Sequence, residues 1–239
     1  MKQMSYDLII VGATTTALGL AQAVQSRLKT LIVNATEMVA YDFVNSYKQP
    51  GLYTQGAAYN QQFRELKADV LLGTEVVSVA GGQDDGYTLE LLGPNGFWTV
   101  KAARLVDTTL EREAGLSGKT LNAVVIQQQG EPLPALEWPD MQLIAETHDH
   151  AYTTAILKFE CEPDWRVAEA RHRLVEAWLS RPETLQSWRM AAIAFCFDER
   201  TSAEGQMKGS HYAVLPAASF SRPEESIAAG AELGRSLIS

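Results

Sequence analysis

Apolar residues are grouped at the start of the chain in a way that predicts a strand, a helix and a second strand. Leu8–Val11 is a continuous apolar run, typical of a strand covered on both faces. Small and apolar residues over Ala17–Val24 predict a helix, and the run Thr30–Val33 predicts the next parallel strand. The three elements fit within about thirty residues, which is the size of a βαβ unit.

Farther along the chain, the pattern predicts antiparallel strands. Polar and apolar residues alternate over Gly86–Leu92 and Phe97–Ala102, and an Asn-Gly turn between them favours a hairpin. Ala103–Thr108 reads as another apolar strand, which ends in an acid and hydroxyls. A second hairpin-like stretch, Ala151–Glu160, precedes a helix predicted over about residues 164–180.

The last segment of the sequence carries a helix-start signal. Ser221 and Glu224 have the spacing of a capping box, and Pro223 stands just inside the predicted helix. A helix rich in small residues, Ile227–Leu237, is therefore expected to follow.

Composition narrows the class of protein. Over 239 residues the chain is 46% hydrophobic and 21% charged, as in ordinary globular proteins. A net charge of −9 argues against a nucleic-acid partner. The apolar runs are shorter than the roughly 20 residues of a membrane span, and no signal peptide is expected before the first strand. Two cysteines, Cys161 and Cys196, lie in apolar-rich segments and favour a reducing, cytoplasmic location.

The turn after the first strand is the candidate site. A dinucleotide-binding turn reads Gly-x-Gly-x-x-Gly, and this chain has Gly12, Thr14 and Ala17 at the three glycine positions. Such a turn binds phosphate because the N–H groups at a helix start favour anions. The alternative is a turn that kept its fold and lost its ligand, with a threonine acting only as helix N-cap.

Three separated segments together resemble the FAD-dependent oxidoreductase superfamily of the glutathione-reductase-like type. The first is the N-terminal βαβ unit. The second is the hairpin followed by Ala103–Leu110, which is similar to that family's strand ending in Asp-Ala-Thr-Gly. The third is Tyr212–Ser219 with the capped helix after it, similar to the closing strand, loop and helix that face the flavin.

The resemblance implies an α/β fold. We expect a Rossmann-like FAD/NAD(P)-binding domain with a mainly parallel sheet and a β-meander crossover over residues 1–118 and 206–239. A small α+β insertion, of the substrate or cap kind, is expected over residues 119–205. The implied cofactor is FAD, and the residues implied to bind it are Gly12, Ala13, Thr14, Thr15, Thr16, Ala17, Asn34, Asp107, Ser219 and Ser221.

Three positions depart from the family pattern. Thr14 places a side chain where the second glycine lets the backbone approach the pyrophosphate. Asn34 stands where an acid normally binds the ribose hydroxyls, and Leu110 occupies the final glycine position of Asp-Ala-Thr-Gly. Each departure weakens the site of the same ligand.

Three functions remain open on the sequence. The first is flavin redox chemistry on an unknown small-molecule substrate. The second is a non-catalytic scaffold for a protein partner, for which apolar residues of the tract Tyr41–Tyr59 would be exposed. The third is a different nucleotide in the same crevice.

Other polar residues carry weaker signals. His148 and His150 would face one side of a strand, but no third metal ligand is evident, so a polar strand edge is preferred over a metal site. His211 and Tyr212 are the candidates for substrate-side groups under the family resemblance.

Overall fold

The computed structural model describes residues 4–82, 85–109, 116–128, 138–145, 152–202, 204–209 and 211–239. The chain divides into two compact units. One comprises Met1–Tyr41, Ala57–Gly115 and Thr201–Ser239, and the other Asp42–Gly56 and Leu116–Arg200.

The strands and helices follow one another in this chain order: β1 (Met4–Val11), α1 (Thr15–Val24), β2 (Thr30–Val33), α2 (Gly56–Glu65), β3 (Ala68–Leu71), β4 (Glu75–Gly81), β5 (Tyr87–Gly93), β6 (Gly96–Asp107), β7 (Leu116–Gln128), β8 (Met141–Ala145), β9 (Tyr152–Glu160), α3 (Val167–Leu179), β10 (Trp188–Ile193), β11 (Asp198–Thr201), β12 (Gln206–Met207), β13 (Tyr212–Val214) and α4 (Pro223–Ile238). Short 3₁₀ turns occupy Leu52–Gln55, Glu183–Leu185 and Ala217–Ser219.

A mainly parallel sheet forms the first unit. Within the described residues its order is β12-β13-β6-β1-β2-β3, and β13, β6, β1, β2 and β3 run parallel. Ile9 of β1 pairs with Leu31 of β2 on one side and with Leu105 of β6 on the other. All three side chains are at most 1% exposed. The predicted α/β fold and the predicted buried first strand are confirmed.

The β6 strand is longer than the sequence pattern suggested. We expected a hairpin strand ending at Ala102 and a separate strand from Ala103, but β6 runs unbroken over Gly96–Asp107. Its first half pairs antiparallel with β5, and Leu105 to Asp107 pair parallel with β13. The meander β4-β5-β6 therefore feeds directly into the parallel sheet, because one strand serves both.

Helices α1 and α4 pack at very close range through glycines. A Cβ at Gly19 would overlap the backbone of Ile227, and one at Gly230 would overlap the carbonyl of Thr16. At Gly234 a Cβ would lie 2.8 Å from the Cβ of Ala23. Small residues at these positions are required because the two backbones nearly touch.

The start of α4 differs from the predicted capping box. Pro223 is the first helical residue, as expected, but the N-cap is Arg222, whose side chain does not cap the helix. Its guanidinium donates to Glu225 at 2.6 Å, and this hydrogen bond raises the pKa of Arg222. Ser221 lies one residue before the N-cap, so its spacing to Glu224 was misleading.

The second unit contains an antiparallel sheet and one helix. Within the described residues the sheet order is β10-β7-β9-β8, with β11 also paired to β7. A hairpin-like stretch was predicted over Ala151–Glu160, and its described residues Tyr152–Glu160 form a single strand, β9, which pairs with β7 and β8. The buried face of α3 is formed by Ala170, Leu174 and Trp178.

The tract Tyr41–Tyr59 is not the exposed apolar surface that a scaffold would offer. Phe43 is fully buried, and Val44, Leu52 and Tyr59 are between 4% and 7% exposed. These side chains contribute to the interior. The tract therefore supplies core rather than an interface.

Both cysteines are reduced thiols and partly buried. Burial raises the pKa of Cys161 to about 11 and that of Cys196 to about 12. The structure describes neither His148 nor His150, nor Leu110, so the expectations for these residues lie outside the described part of the chain. Elsewhere in the described residues no cluster of His, Cys, Asp and Glu could hold a metal ion. None of the described helices combines the length and hydropathy that a membrane span needs.

Candidate functional site

The carboxyl ends of three parallel strands meet around one cavity of the first unit. Val11 ends β1 and Gly12 follows it, Asn34 follows β2, and Asp107 ends β6. They line a cavity of about 590 Å³. In open parallel sheets, ligands bind in the crevice beyond the carboxyl ends of the strands, so this cavity is the candidate ligand crevice.

The crevice has polar and aromatic walls and is negatively charged. Its lining comprises Val11, Gly12, Val33, Asn34, Ala35, Thr36, Tyr41, Thr74, Glu75, Val76, Val77, Val79, Leu105, Asp107, Thr109 and Tyr212. Glu75 and Asp107 are the charged members, and none of these described lining residues is a lysine or arginine. The walls therefore repel anions. Tyr41 and Tyr212 provide rings on which a flat ligand could stack.

Gly12 is required by the shape of the turn. Its φ of 92° lies in the left-handed region, which glycine adopts most readily. A Cβ there would lie 2.8 Å from Cγ2 of Thr109 and 2.9 Å from Oγ1 of Thr108. Gly12 therefore makes the tight turn between β1 and α1.

Thr14, at the second glycine position, is the N-cap of α1. Its Oγ1 accepts a hydrogen bond from the Ala17 N–H at 3.1 Å and donates to Oγ1 of Thr108 at 2.8 Å. Thr108 Oγ1 donates in turn to the carbonyl of Val11 at 2.9 Å. Thr14 is 1% exposed, so its hydroxyl caps the helix and joins β1 to β6.

Thr15 and Thr16 face α4. Their hydroxyls lie 2.8 and 2.7 Å from Oγ of Ser226, and all three residues are fully buried. These hydroxyls hold the two helices together and are not directed to the crevice. The predicted phosphate contacts of these two threonines stay a prediction.

Asn34 ties the loop after β2 to the turn after β1. Its Oδ1 accepts from the Ala13 N–H at 3.0 Å, while its Nδ2 donates to the carbonyls of Thr36 and Met38, both at 2.9 Å. The Ala13 carbonyl also accepts from the Ala40 N–H at 2.7 Å. One N–H donor and two carbonyl acceptors determine the amide orientation of Asn34, which is only 3% exposed.

Asp107 closes the end of β6. Its Oδ1 accepts from the N–H and the hydroxyl of Thr109, at 2.8 and 2.6 Å. It lines the crevice and also stabilises the chain where β6 ends. Asp107 is thus a structural carboxylate that also faces the crevice.

Two of the predicted flavin-side residues are not brought to this crevice. Ser219 lies in the 3₁₀ turn Ala217–Ser219, and Ser221 precedes α4; neither is among the described residues lining the crevice. His211 lines a separate cavity of about 340 Å³ with Tyr6 and Lys101. Sequence analysis did not predict that Thr36, Thr74 and Glu75 line the crevice or that Thr108 bonds to Thr14. Only Thr108 had a recognisable signal, because its hydroxyl directly follows the acid that ends β6.

Comparison with known proteins establishes the fold. The sequence matches no protein-family model and no curated protein. Among solved structures, it is similar to aklavinone-11 hydroxylase in complex with FAD and aklavinone, with a TM-score of 0.61 and 12% identity over 99% of this chain and 63% of that one. The p-nitrophenol 4-monooxygenase of Pseudomonas putida gives a TM-score of 0.59 and 12% identity, over 100% of this chain and 80% of that one. A geranylgeranyl bacteriochlorophyll reductase-like protein of Thermoplasma acidophilum gives 0.61 and 11%, over 99% and 79%.

The chain has the FAD/NAD(P)-binding Rossmann-like fold. At these identities the likeness concerns the fold alone. The chain also spans less than two thirds of the aklavinone-11 hydroxylase.

The FAD/NAD(P)-binding fold provides a test of whether the residues fit a dinucleotide. In such folds the pyrophosphate lies at the turn before the first helix. The crevice at the strand ends has the volume and the aromatic walls to accept the adenosine end. The turn does not fit a diphosphate in this conformation: Ala13 to Ala17 are at most 1% exposed, and the N–H groups of Ala13 and Ala17 already donate to protein oxygens.

Proposed function

We propose that this protein is a flavin-dependent oxidoreductase acting on a small-molecule substrate, of the glutathione-reductase-like type that the sequence motifs resemble. The observation that supports the proposal is the crevice at the carboxyl ends of β1, β2 and β6, entered by a glycine turn, in an FAD/NAD(P)-binding fold. FAD, when bound, would supply the redox chemistry, and the protein would supply binding and orientation. Because both cysteines are reduced thiols, we place the protein in the cytoplasm.

The proposal assigns roles to residues of the crevice. Gly12 would let the chain turn sharply beside the ligand, as its positive φ already does. Asp107 and Glu75 would accept hydrogen bonds from ribose hydroxyls, since a carboxylate is an acceptor. Tyr41 and Tyr212 would pack against the adenine ring. The diphosphate is the part of FAD for which the turn must change.

Bound flavin is the direct test. The purified full-length protein should be yellow and release stoichiometric flavin on denaturation, or bind added FAD with a rise in melting temperature. Gly12→Val should lose this binding, because its side chain would collide with Thr108 and Thr109. Gly209→Ala, at an exposed position with only an ordinary contact to Tyr87, is the matched control. Colourless protein whose melting temperature is unmoved by FAD or NAD(P)H contradicts the proposal.

A second function is favoured by the buried turn. The hydrogen bonds that occupy Thr14 and Asn34 are those of a turn that holds itself together without a ligand. The alternative is a non-catalytic scaffold derived from a flavoprotein, with a protein partner. Under this alternative, colourless protein would copurify with one partner in fixed stoichiometry. A strictly monomeric protein that copurifies with nothing argues against it.

A further inference from the structure

We infer that Asn34 is a specificity-determining residue that closes the turn against a diphosphate, so that the crevice favours a nucleoside over a nucleotide that carries one. The inference goes beyond the proposed function, although it rests on the same crevice. It concerns only which ligand binds in the crevice, and not the chemistry of a bound flavin. Three features support it: the Ala13 N–H is already hydrogen-bonded, Thr14 stands at the second glycine position, and the walls of the crevice are negatively charged.

The first feature is the occupied amide. Backbone N–H groups at the turn and helix start are the donors that bind phosphate oxygens in dinucleotide sites. In this turn the Ala13 N–H donates to Oδ1 of Asn34 at 3.0 Å, in a place that is 3% exposed or less. One N–H carries a single proton, so a phosphate oxygen must displace the Asn34 side chain to reach it.

The second feature is the position of the second glycine. Thr14 fills it with a side chain whose Oγ1 accepts a hydrogen bond from the N–H of Ala17, the third residue of α1. The same oxygen is held by Thr108 at 2.8 Å, so the side chain is anchored to β6. Two donors that a diphosphate would use are therefore satisfied by the protein itself.

The third feature is the charge of the crevice. Glu75 and Asp107 line it, and the described lining residues contribute no lysine or arginine. An anion entering this space meets two carboxylates and no compensating cation from that lining. An uncharged nucleoside avoids both this repulsion and the loss of the Asn34 hydrogen bond.

Titration calorimetry of the full chain with adenosine and with ADP tests the inference. The wild type should bind ADP no more tightly than adenosine. Asn34→Ala frees the Ala13 N–H and should tighten ADP binding about fivefold, the equivalent of one neutral hydrogen bond, with adenosine unchanged. Asn60→Ala, the same substitution at an exposed position of α2, should leave both affinities unchanged.

A conservative variant separates specificity from structure. Asn34→Asp loses the Nδ2 hydrogen bonds to Thr36 (carbonyl and Oγ1) and to the Met38 carbonyl, as Asn34→Ala does, but it keeps an oxygen for the Ala13 N–H. It should show no gain for ADP, whereas a merely structural role predicts equal effects of Asp and Ala. If Asn34→Ala does not fold, Thr14→Gly frees the Ala17 N–H and should give the same gain, because glycine is tolerated at an N-cap.

The outcomes distinguish this inference from the proposed function. Equal ADP affinities of the wild type, Asn34→Ala and Thr14→Gly, or no nucleotide binding by any of them, overturn the inference. If these variants gain ADP affinity but no form binds FAD, the inference stands and the flavin function fails. If the wild type binds FAD tightly and Asn34→Ala adds nothing, the flavin function stands and the inference fails.

Discussion

The contact between α1 and α4 offers a quantitative test of the structure. Replacing Gly230 by alanine adds a methyl group that would overlap the carbonyl oxygen of Thr16 and lie 3.0 Å from the Leu20 nitrogen. Both neighbours are helix backbone and cannot rotate away. Helix α4 must therefore retreat by on the order of 1 Å, which is the kind of overpacking that a close-packed interior resists.

The cost can be worked from the groups that this movement separates. Overpacking of a buried contact costs about 1–3 kcal/mol. Retreat of α4 also lengthens the bonds from Ser226 to Thr15 and Thr16, now 2.8 and 2.7 Å, and each buried bond lost costs about 1 kcal/mol. Alanine returns about 1 kcal/mol through its better helix propensity. We expect a net loss of about 3 kcal/mol in the free energy of unfolding.

Urea denaturation followed by far-UV circular dichroism measures this loss. Gly209→Ala is the control, since its Cβ would make only an ordinary contact at 3.8 Å with the Tyr87 hydroxyl and its stability should be nearly unchanged. A Gly230→Ala protein within about 0.5 kcal/mol of the wild type, the usual range for neutral surface changes, would refute the close approach of the two helices.

Three further predictions concern buried polar groups. Ser226→Ala removes the partner of two buried hydroxyls and should lower the free energy of unfolding by about 1–3 kcal/mol in urea denaturation, whereas the exposed Ser236→Ala on the same helix should not. Asp198→Ala removes a carboxylate that is 1% exposed and paired with Lys158 at 2.8 Å, and should lower the free energy of unfolding by about 3–5 kcal/mol. The control is Glu160→Ala, which removes a half-exposed ion pair with Arg200 at 3.6 Å and should lower it by less than about 1 kcal/mol. The pKa of Cys196 is raised from 9.0 to about 12 by burial and then by neighbouring carboxylates. At pH values between these two, the Cys196 thiol is deprotonated in the unfolded chain and protonated in the folded one. The free energy of unfolding should therefore fall as pH rises from 9 toward 12. Cys196→Ala should reduce that slope in denaturation curves taken at several pH values.

Much of the first unit could be predicted because its signals are local. The apolar runs of β1 and β2, the small residues of α1 and the glycine before it follow from periodicity and backbone geometry alone. Their bounds agree with the structure to within a few residues. Where the sequence misled, the competing signal was also local: Ser221 had the spacing of a cap, but the chain uses Arg222 as N-cap.

The candidate site required the tertiary structure because its decisive contacts join distant segments. The sequence alone predicted a βαβ unit whose first turn needs a glycine. It also showed that Thr14 and Asn34 differ from the residues that a dinucleotide-binding motif has at those positions. Which atoms those side chains bond depends on β6 and on the loop after β2, which bring Thr108 to Thr14 and Ala13 to Asn34 across 94 and 21 positions of the chain. Only the folded chain places a hydroxyl or an amide of a distant residue against a backbone group that a ligand could otherwise bind. A local sequence pattern cannot predict such a contact.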